Sequence, residues 1–208
     1  MSEVVERKRE AKRQAILDAA VRLFAERGYN ATRMADVAES LGLHKPALYY
    51  YFDSKEAVLV ELIRTRVGTA LDALRAIAAS PRLPADKISE AVRTHLRVFH
   101  EHPHLYTVFN SEKLHAVSLE AAAIVDDLGR HYEKLWEDML SEGVASGALR
   151  PDLDIPVTMK AILGQLNSTL SWFTADGRLT IEQLSDLYVE LVILSVGRLP
   201  RAVASGGG

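Results

Sequence analysis

Apolar residues recur every three or four positions along most of the chain, and no stretch alternates in the manner of a half-buried strand. The first such run places four residues on one helical face, namely Ile16, Ala20, Leu23 and Phe24. Runs of the same kind continue almost to the C-terminus. The pattern predicts an all-α protein of about nine helices, with a small three-helix head at the N-terminus and a larger helical body.

Residues 32–55, TRMADVAESLGLHKPALYYYFDSK, predict two short helices and the start of a third, separated by tight turns. Thr32 is suited to cap the first helix, because its hydroxyl can accept a backbone N–H of the first turn. Gly42 follows that helix and can take the left-handed conformation of a sharp turn. Pro46 suits the first turn of the second helix, where a missing N–H costs nothing. The segment is therefore typical of a helix-turn-helix unit.

The second helix of this unit has an inner and an outer side. Leu48 and Phe52 are four residues apart and face inward, whereas Lys45, Tyr49 and Tyr50 face outward. A short helix that exposes a lysine and two tyrosines contributes little to a core but fits the major groove of DNA. The outer side is therefore the predicted DNA-reading surface.

A long helix is predicted from Asp53 to about Ser80. Asp53 is placed as its N-cap, and Glu56 would complete a capping box. At ~1.5 Å per residue, this helix would be a rod of roughly 40 Å. No Gly/Ser-rich linker separates head from body, so we assign residues 1–55 to a head domain and residues 56–204 to a body domain.

Charge is distributed unevenly along a chain that is acidic as a whole. The formal net charge is −3, but residues 1–55 carry a net of +2 and residues 56–208 a net of −5. Contact with phosphates needs local positive charge rather than a basic chain. The basic cluster within residues 7–13 either reaches DNA or forms a solvated helix start. The acidic body is expected to face away from DNA.

Composition narrows the class of protein. Hydrophobic residues make up 48% and charged residues 25% of the 208 residues, which is ordinary for a soluble globular protein. No apolar run reaches the length of a membrane span, no signal peptide opens the chain, and cysteine is absent. These features predict a cytoplasmic protein without disulfides or a membrane partner.

The residues LGLHKPALYYYFDSKEAVL resemble the start of the tetracycline-repressor (TetR) family of bacterial regulators. The match to that family's DNA-binding signature includes Thr32, Gly42, Leu48, Tyr49, Phe52, Ser54, Lys55 and Glu56. The resemblance implies a dimeric DNA-binding regulator whose body binds an inducer. The family often has a small hydroxyl residue at the position of His44, so the cap or the contact there is expected to differ.

Specific residues of the head are expected to touch a double-stranded DNA operator. Base contacts are predicted for Lys45, Arg33, Pro46 and Ala47, the last two through a thymine methyl. Contacts that fix the register on the phosphates are predicted for Thr32, Tyr49, Tyr50, Tyr51 and Lys55, and His44 completes the DNA-binding set. Two recognition helices would enter a near-palindromic site with half-sites roughly 34–36 Å apart.

The last two helices are more apolar than a single chain requires. Residues 187–194 are apolar nearly all round the helix, and residues 159–173 add further apolar and aromatic side chains. A surface helix needs only about a 100° apolar stripe. These helices must be buried in their own fold or against another chain. We favour a four-helix homodimer interface, which is also how the dimer forms in the family that the chain resembles.

The body mixes aromatic with small polar residues, which suits a pocket for a small hydrophobic effector. Each of these residues taken singly is more typical of a packed core, and the pocket is implied mainly by the TetR resemblance. The predicted ligand-binding residues are Phe99, Tyr106, Phe109, Trp136, Leu163, Leu166 and Asn167.

A narrower resemblance concerns the effector. The segment from GALRPDLDIP to TIEQLSDLYVEL resembles the C-terminal part of TetR-type repressors of fatty-acid and sterol degradation, which sense acyl-coenzyme-A (acyl-CoA) thioesters. It implies an acyl-CoA effector. Some of those relatives carry an arginine and an aromatic residue where this chain has Leu163 and Asn167, and Lys160 is the only cation nearby. A free hydrophobic acid or a drug-like molecule is the alternative effector.

The sequence contains no motif that indicates a metal site or a catalytic site. His100, His102 and His104 can converge on zinc in principle, but no cysteine is present and only Glu101 accompanies them, so no metal site is predicted. No nucleophile–base motif, phosphate loop or dinucleotide fingerprint appears, so neither an enzyme nor a cofactor is expected. The predicted function is a ligand-responsive transcriptional repressor. The competing interpretation is a small-molecule-binding or structural dimer whose DNA head is secondary.

Overall fold

The computed structural model describes residues 3–101 and 118–198. Helices account for most of these residues, and no strand occurs within the two ranges, although an isolated bridge pairs Leu149 with Gly197. The all-α prediction is confirmed. In chain order the elements are α1 (Glu3–Arg27), α2 (Met34–Ser40), α3 (Lys45–Tyr49), α4 (Lys55–Leu62), a π segment (Ile63–Val67), α5 (Gly68–Ala78), α6 (Pro84–Glu101), α7 (Leu119–Ala145), α8 (Ile155–Ser168), a 3₁₀ turn (Thr169–Ser171) and α9 (Ile181–Val196).

The described residues form two compact units. The first comprises residues 3–71, 101 and 118–130, and the second comprises residues 72–100 and 131–198. Each unit has its own hydrophobic core. The assignment of residues 1–55 and 56–204 to separate domains stays a prediction.

The core of the first unit is built on α1. The four apolar residues that the sequence places on one face of this helix, Ile16, Ala20, Leu23 and Phe24, are all buried. Met34 and Val37 of α2 and Leu59 of α4 are buried in the same cluster. Burying one such aliphatic side chain stabilises the fold by roughly 1.5–3 kcal/mol, so the small head is held by this shared core.

The start of α1 is exposed. Residues 3–13 are helical, and this exposed start is compatible both with a solvated helix start and with a contact to DNA. Arg13 is engaged inside the first unit, where its Nη2 lies 2.9 Å from Glu61 Oε1 and its guanidinium lies 4.5 Å from the centroid of the Phe52 ring. Of the other cations in this cluster, Arg7, Lys8 and Arg9 are exposed and Lys12 is half-buried.

α4 begins one residue later than predicted. Its N-cap is Ser54 rather than Asp53, and the Ser54 hydroxyl accepts the N–H of Ala57 at 2.9 Å. The prediction of Asp53 was wrong because adjacent aspartate and serine are equally good caps, and sequence alone does not decide which takes the extended backbone.

A π segment lies between α4 and α5. The helix is unbroken from Lys55 to Ala78, but residues 63–67 form wider turns than an α-helix. The hydroxyls of Thr65 and Thr69 donate to the carbonyl oxygens of Glu61 and Thr65 at 2.7 and 2.6 Å. Such bonding to the preceding turn accompanies helix irregularities. The predicted long helix is therefore continuous along the chain but not uniformly α-helical.

The N-terminus of α7 is tied to α4 within the first unit. The Ser118 hydroxyl accepts the N–H of Ala121 at 3.0 Å and donates to Glu56 Oε1 at 2.5 Å. Glu56 stands in the first turn of α4. One buried hydroxyl therefore caps α7 and links it to the helix that follows the helix-turn-helix unit.

The second unit packs α6, α7, α8 and α9 around a separate core. Trp136, Leu166 and Val192 are among its buried residues. The largely buried Lys87 ammonium lies 3.0 and 2.9 Å from the two carboxylate oxygens of Glu142, so the buried charge is paired.

Helix starts in the second unit agree with the sequence. The Asp154 carboxylate accepts the N–H of Val157 at 3.1 Å and caps α8. Thr180 and Gln183 form the predicted capping box at the start of α9, with reciprocal bonds of 3.0 and 3.3 Å. Among the helices described, none is both long enough and apolar enough to cross a membrane.

Candidate DNA-binding and effector sites

The helix-turn-helix unit consists of α2 and α3, and its turn lies at Gly42. Gly42 has a φ of +62°, a region that favours glycine because a Cβ would be strained there. The N–H of Leu43 donates to the carbonyl oxygen of Ala38 at 2.9 Å and closes the turn. The predicted role of Gly42 is confirmed.

α3 has the inner and outer sides that the sequence predicts. Leu48 within the helix and Phe52 just after it are buried. Pro46 lies in the first turn, and His44 is the N-cap residue but makes no capping hydrogen bond with its side chain. The exposed residues of this segment are His44, Lys45, Pro46, Ala47, Tyr49 and Tyr50. The outer side thus offers a cation, small apolar groups and phenolic hydroxyls to a groove.

Aromatic contacts arrange the tyrosines after the recognition helix. The Lys45 ammonium lies 5.8 Å from the centroid of the Tyr49 ring. Tyr50 and Tyr51 pack edge to face with centroids 5.2 Å apart. Tyr50 is 71% exposed, whereas Tyr51 is half-buried and its carbonyl oxygen accepts from Arg13 Nη1 at 3.4 Å.

Arg33, rather than Thr32, is the N-cap residue of α2. Its backbone N–H donates to Asp36 Oδ2 at 2.8 Å, and its Nη2 lies 3.1 Å from Asp36 Oδ1. The hydrogen bond and the attraction between opposite charges lower the pKa of Asp36 and raise the pKa of Arg33. The guanidinium lies on the surface at the entrance to α2, already paired with a carboxylate.

Thr32 is fully buried, and its hydroxyl points into the first unit. The hydroxyl is within hydrogen-bond distance of the carbonyl oxygens of Gly28 and Leu23, at 2.9 and 3.2 Å. The prediction that Thr32 caps α2 is therefore wrong, and its side chain is not free to reach a phosphate. Its role here is to hold the end of α1 against the loop that leads into α2.

Lys55 also faces inward. Its ammonium donates to the carbonyl oxygens of Tyr29, Thr32 and Asn30 at 2.7, 2.8 and 3.4 Å. Burial lowers its pKa. A lysine has three N–H donors, so a phosphate contact would require Lys55 to release one of these carbonyls. Lys55 therefore braces this loop, and its phosphate contact stays a prediction.

The predicted effector residues that the structure describes all lie in the second unit. Trp136 and Leu166 are buried, whereas Phe99, Leu163 and Asn167 are half-buried. Tyr106 and Phe109 lie outside the described residues. The described five are spread over α6, α7 and α8.

Two residues absent from the predicted set connect these helices. The buried His95 of α6 lies with Nδ1 3.0 Å from the Tyr132 hydroxyl and Nε2 3.2 Å from Asn167 Oδ1. Its ring stacks on Phe99 with centroids 4.5 Å apart. The sequence signal was the i, i+4 spacing of His95 with Phe99 and of Tyr132 with Trp136, which places each pair on one helix face.

The charge state of this cluster follows from its burial. Because Asn167 Oδ1 only accepts, His95 Nε2 must carry the proton, and Nδ1 accepts from the Tyr132 hydroxyl. Burial lowers the pKa of His95 to about 4, against the opposing effect of the Asn167 hydrogen bond. Burial also raises the pKa of Tyr132. His95 and Tyr132 are therefore both neutral at pH 7.

Trp136 adds a polar group without a partner to the same place. Its indole Nε1 is buried and has no hydrogen-bond partner among the described residues. The Tyr132 hydroxyl lies near this N–H but outside hydrogen-bond geometry. Buried donors of this kind are rare in native structures.

α9 carries an apolar face that the second unit does not cover. Leu184, Val192 and Val196 enter the core, whereas Leu191 and Leu194 are 56% and 65% exposed. Leu187 is exposed on the same side, four residues before Leu191. One apolar side of α9 is thus buried in the core of the second unit, and another apolar side is exposed.

Metal ligands do not assemble in the parts of the chain that the structure describes. His100 Nε2 lies 3.1 Å from the Thr169 hydroxyl, and its ring meets Phe173 edge to face at 4.7 Å. His102 and His104 lie outside the described residues. His100 is therefore engaged in packing and hydrogen bonding on the second unit.

Two regions of the chain match models of known protein families. Residues 16–62 match the bacterial regulatory proteins of the tetR family, and residues 81–196 match the tetracyclin repressor-like C-terminal domain. The chain is 27% identical over 183 residues to the HTH-type transcriptional repressor KstR2 of Mycobacterium tuberculosis, which covers 88% of this chain and 92% of that protein.

Solved structures are similar over the same extent. The ketosteroid transcriptional regulator KstR2 of Mycobacterium tuberculosis superposes with a TM-score of 0.81 at 26% identity, covering 90% of this chain and 96% of that one. The transcriptional regulator FadR of Bacillus subtilis, in complex with stearoyl-CoA, superposes with a TM-score of 0.70 at 24% identity, covering 86% and 97%.

A helix-turn-helix unit with an exposed recognition helix, followed by a larger all-helical unit, defines a DNA-binding transcriptional regulator. The chain belongs to the tetR family of bacterial regulatory proteins. It is a ligand-responsive transcriptional repressor.

Proposed function

We propose that the protein acts as a homodimer on a near-palindromic operator and is released from it by an acyl-CoA thioester. It is a regulator rather than an enzyme, and it acts where its operator is, in the cytoplasm. The observation that carries the DNA part of the proposal is the outer side of α3, where Lys45, Tyr49 and Tyr50 are exposed around the buried Leu48.

Base contacts are assigned to the first turn of α3 and its edge. Lys45 can donate to guanine O6 or N7, or to a phosphate, and Pro46 and Ala47 can meet a thymine methyl. Arg33 lies at the start of α2, where its ion pair with Asp36 reduces the charge that it offers to a base.

Phosphate contacts are assigned to exposed groups around α3. The hydroxyls of Tyr49, Tyr50 and Tyr51 can donate to phosphate oxygens, which fixes register without reading sequence. His44 is exposed at the start of α3 and belongs to the same set. Thr32 and Lys55 are left out of it, because their polar groups bind backbone carbonyls of the head.

The dimer interface is assigned to α8 and α9. Each subunit of a two-fold dimer offers the same surface, and the exposed face with Leu187, Leu191 and Leu194 supplies an apolar one. On α8, Val157 is exposed and Gly164 has open space where a side chain would stand. A partner helix can approach closely at such a glycine.

The effector is assigned to the second unit. Phe99, Trp136 and Leu166 supply aromatic and aliphatic walls, and Asn167 supplies a polar group. Support also comes from the fold neighbour that was solved with stearoyl-CoA. The phosphates of the coenzyme would stay at the surface, because burying them without cations costs too much free energy.

Operator binding and release test the proposal in sequence. The DNA upstream of the protein's own gene is labelled, binding is measured by fluorescence anisotropy, and the complex is titrated with matched pairs of acyl-CoA thioester and free acid. We expect binding to this DNA and release by thioesters only. Absence of specific DNA binding would overturn the operator assignment, and release by free acids alone would overturn the acyl-CoA assignment while leaving the repressor intact.

A further inference from the structure

Four polar side chains from three helices converge in the second unit. They are His95 of α6, Tyr132 and Trp136 of α7, and Asn167 of α8. His95 is additionally stacked on Phe99, and Trp136 lies in the apolar core. A buried polar network lowers stability unless all of its members are satisfied. If these positions served only to pack the core, apolar residues would make the fold more stable.

One donor in this cluster, the indole N–H of Trp136, has no hydrogen-bond partner in the described parts of the chain. The Tyr132 hydroxyl donates to His95 Nδ1, and His95 Nε2–H donates to Asn167 Oδ1, as the donor inventory of these groups requires. The indole N–H of Trp136 faces the same region and binds nothing among the described residues. The Tyr132 hydroxyl oxygen lies close to this N–H without forming a hydrogen bond with it, so the N–H remains open to a better placed acceptor.

We propose that this acceptor is the carbonyl oxygen of an acyl thioester, held by the Trp136 Nε1–H beside the Tyr132 hydroxyl. This inference rests on the proposed acyl-CoA effector and names the chemical group of it that the protein recognises. Trp136 would anchor the carbonyl, and the half-buried Phe99 and Leu163 would flank the acyl chain.

The charges around the cluster favour a thioester over a free acid. The residues that bond to or stack on His95 are Tyr132, Asn167 and Phe99, and none of them is a cation. A carboxylate brought to this place would lose its water without gaining a positive partner, which is strongly unfavourable. A thioester carbonyl is neutral, and one N–H donor satisfies it.

The test removes the carbonyl oxygen of the ligand and the indole N–H of Trp136, first separately and then together. S-alkyl-CoA thioethers have the chain and coenzyme of the matching acyl-CoA thioester but lack the carbonyl oxygen. Operator release is titrated with both compounds, at the chain length most active among C8 to C18, on the wild type and on Trp136→Phe. We expect the wild type to respond to the thioester at a roughly threefold to tenfold lower concentration than to the thioether, the worth of one neutral hydrogen bond.

Trp136→Phe should lose this preference: both compounds bind at altered concentrations because a wall of the site has changed, but the ratio of the two release concentrations should fall to about one. Trp172→Phe, which alters the exposed second tryptophan of the chain, is the matched control and should keep the preference. A Trp136→Phe protein that still prefers the thioester would overturn the inference. If neither compound binds the wild type, the acyl-CoA proposal fails together with this one. If both compounds bind equally well, only this inference fails.

A second measurement does not require Trp136→Phe to fold. The chain has two tryptophans, so a ¹⁵N-labelled wild type gives two indole N–H signals, which Trp172→Phe assigns. The thioester should move the Trp136 signal downfield, as expected for a newly formed hydrogen bond, and the thioether should not. Equal shifts with both compounds would overturn the inference.

Discussion

The Lys55 ammonium lies 4.2 Å from the centroid of the Tyr29 ring and donates to the carbonyl oxygen of the same residue at 2.7 Å. Its bonds to Asn30 and Thr32 extend this contact over the whole loop between α1 and α2. A single side chain from α4 therefore fixes the loop that leads into the helix-turn-helix unit.

Lys55→Ala should destabilise the head rather than remove a DNA contact. Loss of charge-assisted hydrogen bonds to carbonyls that stay partly buried should lower the free energy of unfolding by about 1–3 kcal/mol. Chemical denaturation measures this change, and Lys55→Met, which keeps the aliphatic stem, separates packing from hydrogen bonding. The salt dependence of operator binding should keep its slope in the folded variant. A slope reduced by about one unit at unchanged stability would restore Lys55 as a phosphate contact.

Lys45→Ala should alter DNA binding without altering stability, because Lys45 is exposed on the outer side of α3. If Lys45 reads a base, preference among half-site variants should change by about 1–3 kcal/mol. If it binds a phosphate, affinity should fall for all sequences and the salt slope should decrease by about one unit. Lys134→Ala, which removes an exposed lysine of α7, is the charge-matched control. If Lys45→Ala leaves both the operator affinity and the half-site preference unchanged, α3 does not contact DNA as proposed.

Leu191→Glu should produce a folded monomer. Leu191 is largely exposed within its own chain, so the substitution leaves the core intact but places a charge in the proposed partner contact. Size-exclusion chromatography with light scattering gives the mass, and circular dichroism checks the fold. Leu83→Glu changes an equally apolar exposed residue outside α9 and should remain dimeric. A dimer that still binds its operator after Leu191→Glu would place the interface elsewhere.

Stability should fall as the pH is lowered from about 6.5 to about 4. Burial lowers the pKa of His95 to about 4 in the folded protein. Below about pH 6.5, the ordinary pKa of histidine, the unfolded chain therefore binds a proton at His95 and the native state does not. The loss should approach roughly 3 kcal/mol at the lower end, at about 1.4 kcal/mol per unit of pKa. His95→Gln retains a donor and an acceptor but does not titrate, so its stability should depend less on pH. Equal pH dependence in both proteins would contradict a neutral buried His95.

Ser118 should respond differently to two substitutions. Ser118→Ala removes the cap of α7 and the bond to Glu56, and should cost about 1 kcal/mol or more. Ser118→Asp preserves a capping carboxylate but brings it against the carboxylate of Glu56. Ser118→Asp combined with Glu56→Gln should therefore be more stable than Ser118→Asp alone, by thermal denaturation at pH 7. Equal stability of these two variants would show that Glu56 is not in contact with residue 118.

The sequence predicted those parts of the fold that depend on local periodicity and strong end signals. The apolar stripe of α1, the left-handed turn at Gly42 and the capping box of Thr180 each follow from a few neighbouring residues, and each is present. The inner and outer sides of α3 follow from the four-residue spacing of Leu48 and Phe52 in the same way.

Tertiary contacts account for what the sequence did not predict. Thr32 and Lys55 have side chains that suit a phosphate, and only the folded loop reveals that backbone carbonyls already use them. The pairing of His95 with Asn167 joins residues that lie far apart in the sequence, so no local pattern could have indicated it. Adjacent candidate caps such as Asp53 and Ser54 differ too little for sequence to choose between them.

The π segment gives the helix that runs from Lys55 to Ala78 one place where its length can change. A π turn accommodates one residue more than a regular α turn. Deleting one residue within Ile63–Val67 would therefore allow a regular helix, and the side chains of α5 would keep nearly the same direction around the helix axis. Deleting a residue elsewhere in α4 or α5 would instead turn every later side chain of the helix by about 100° and move it by about 1.5 Å. Residues 63–67 are thus the stretch where the helix can lose a residue while its apolar stripe keeps its register.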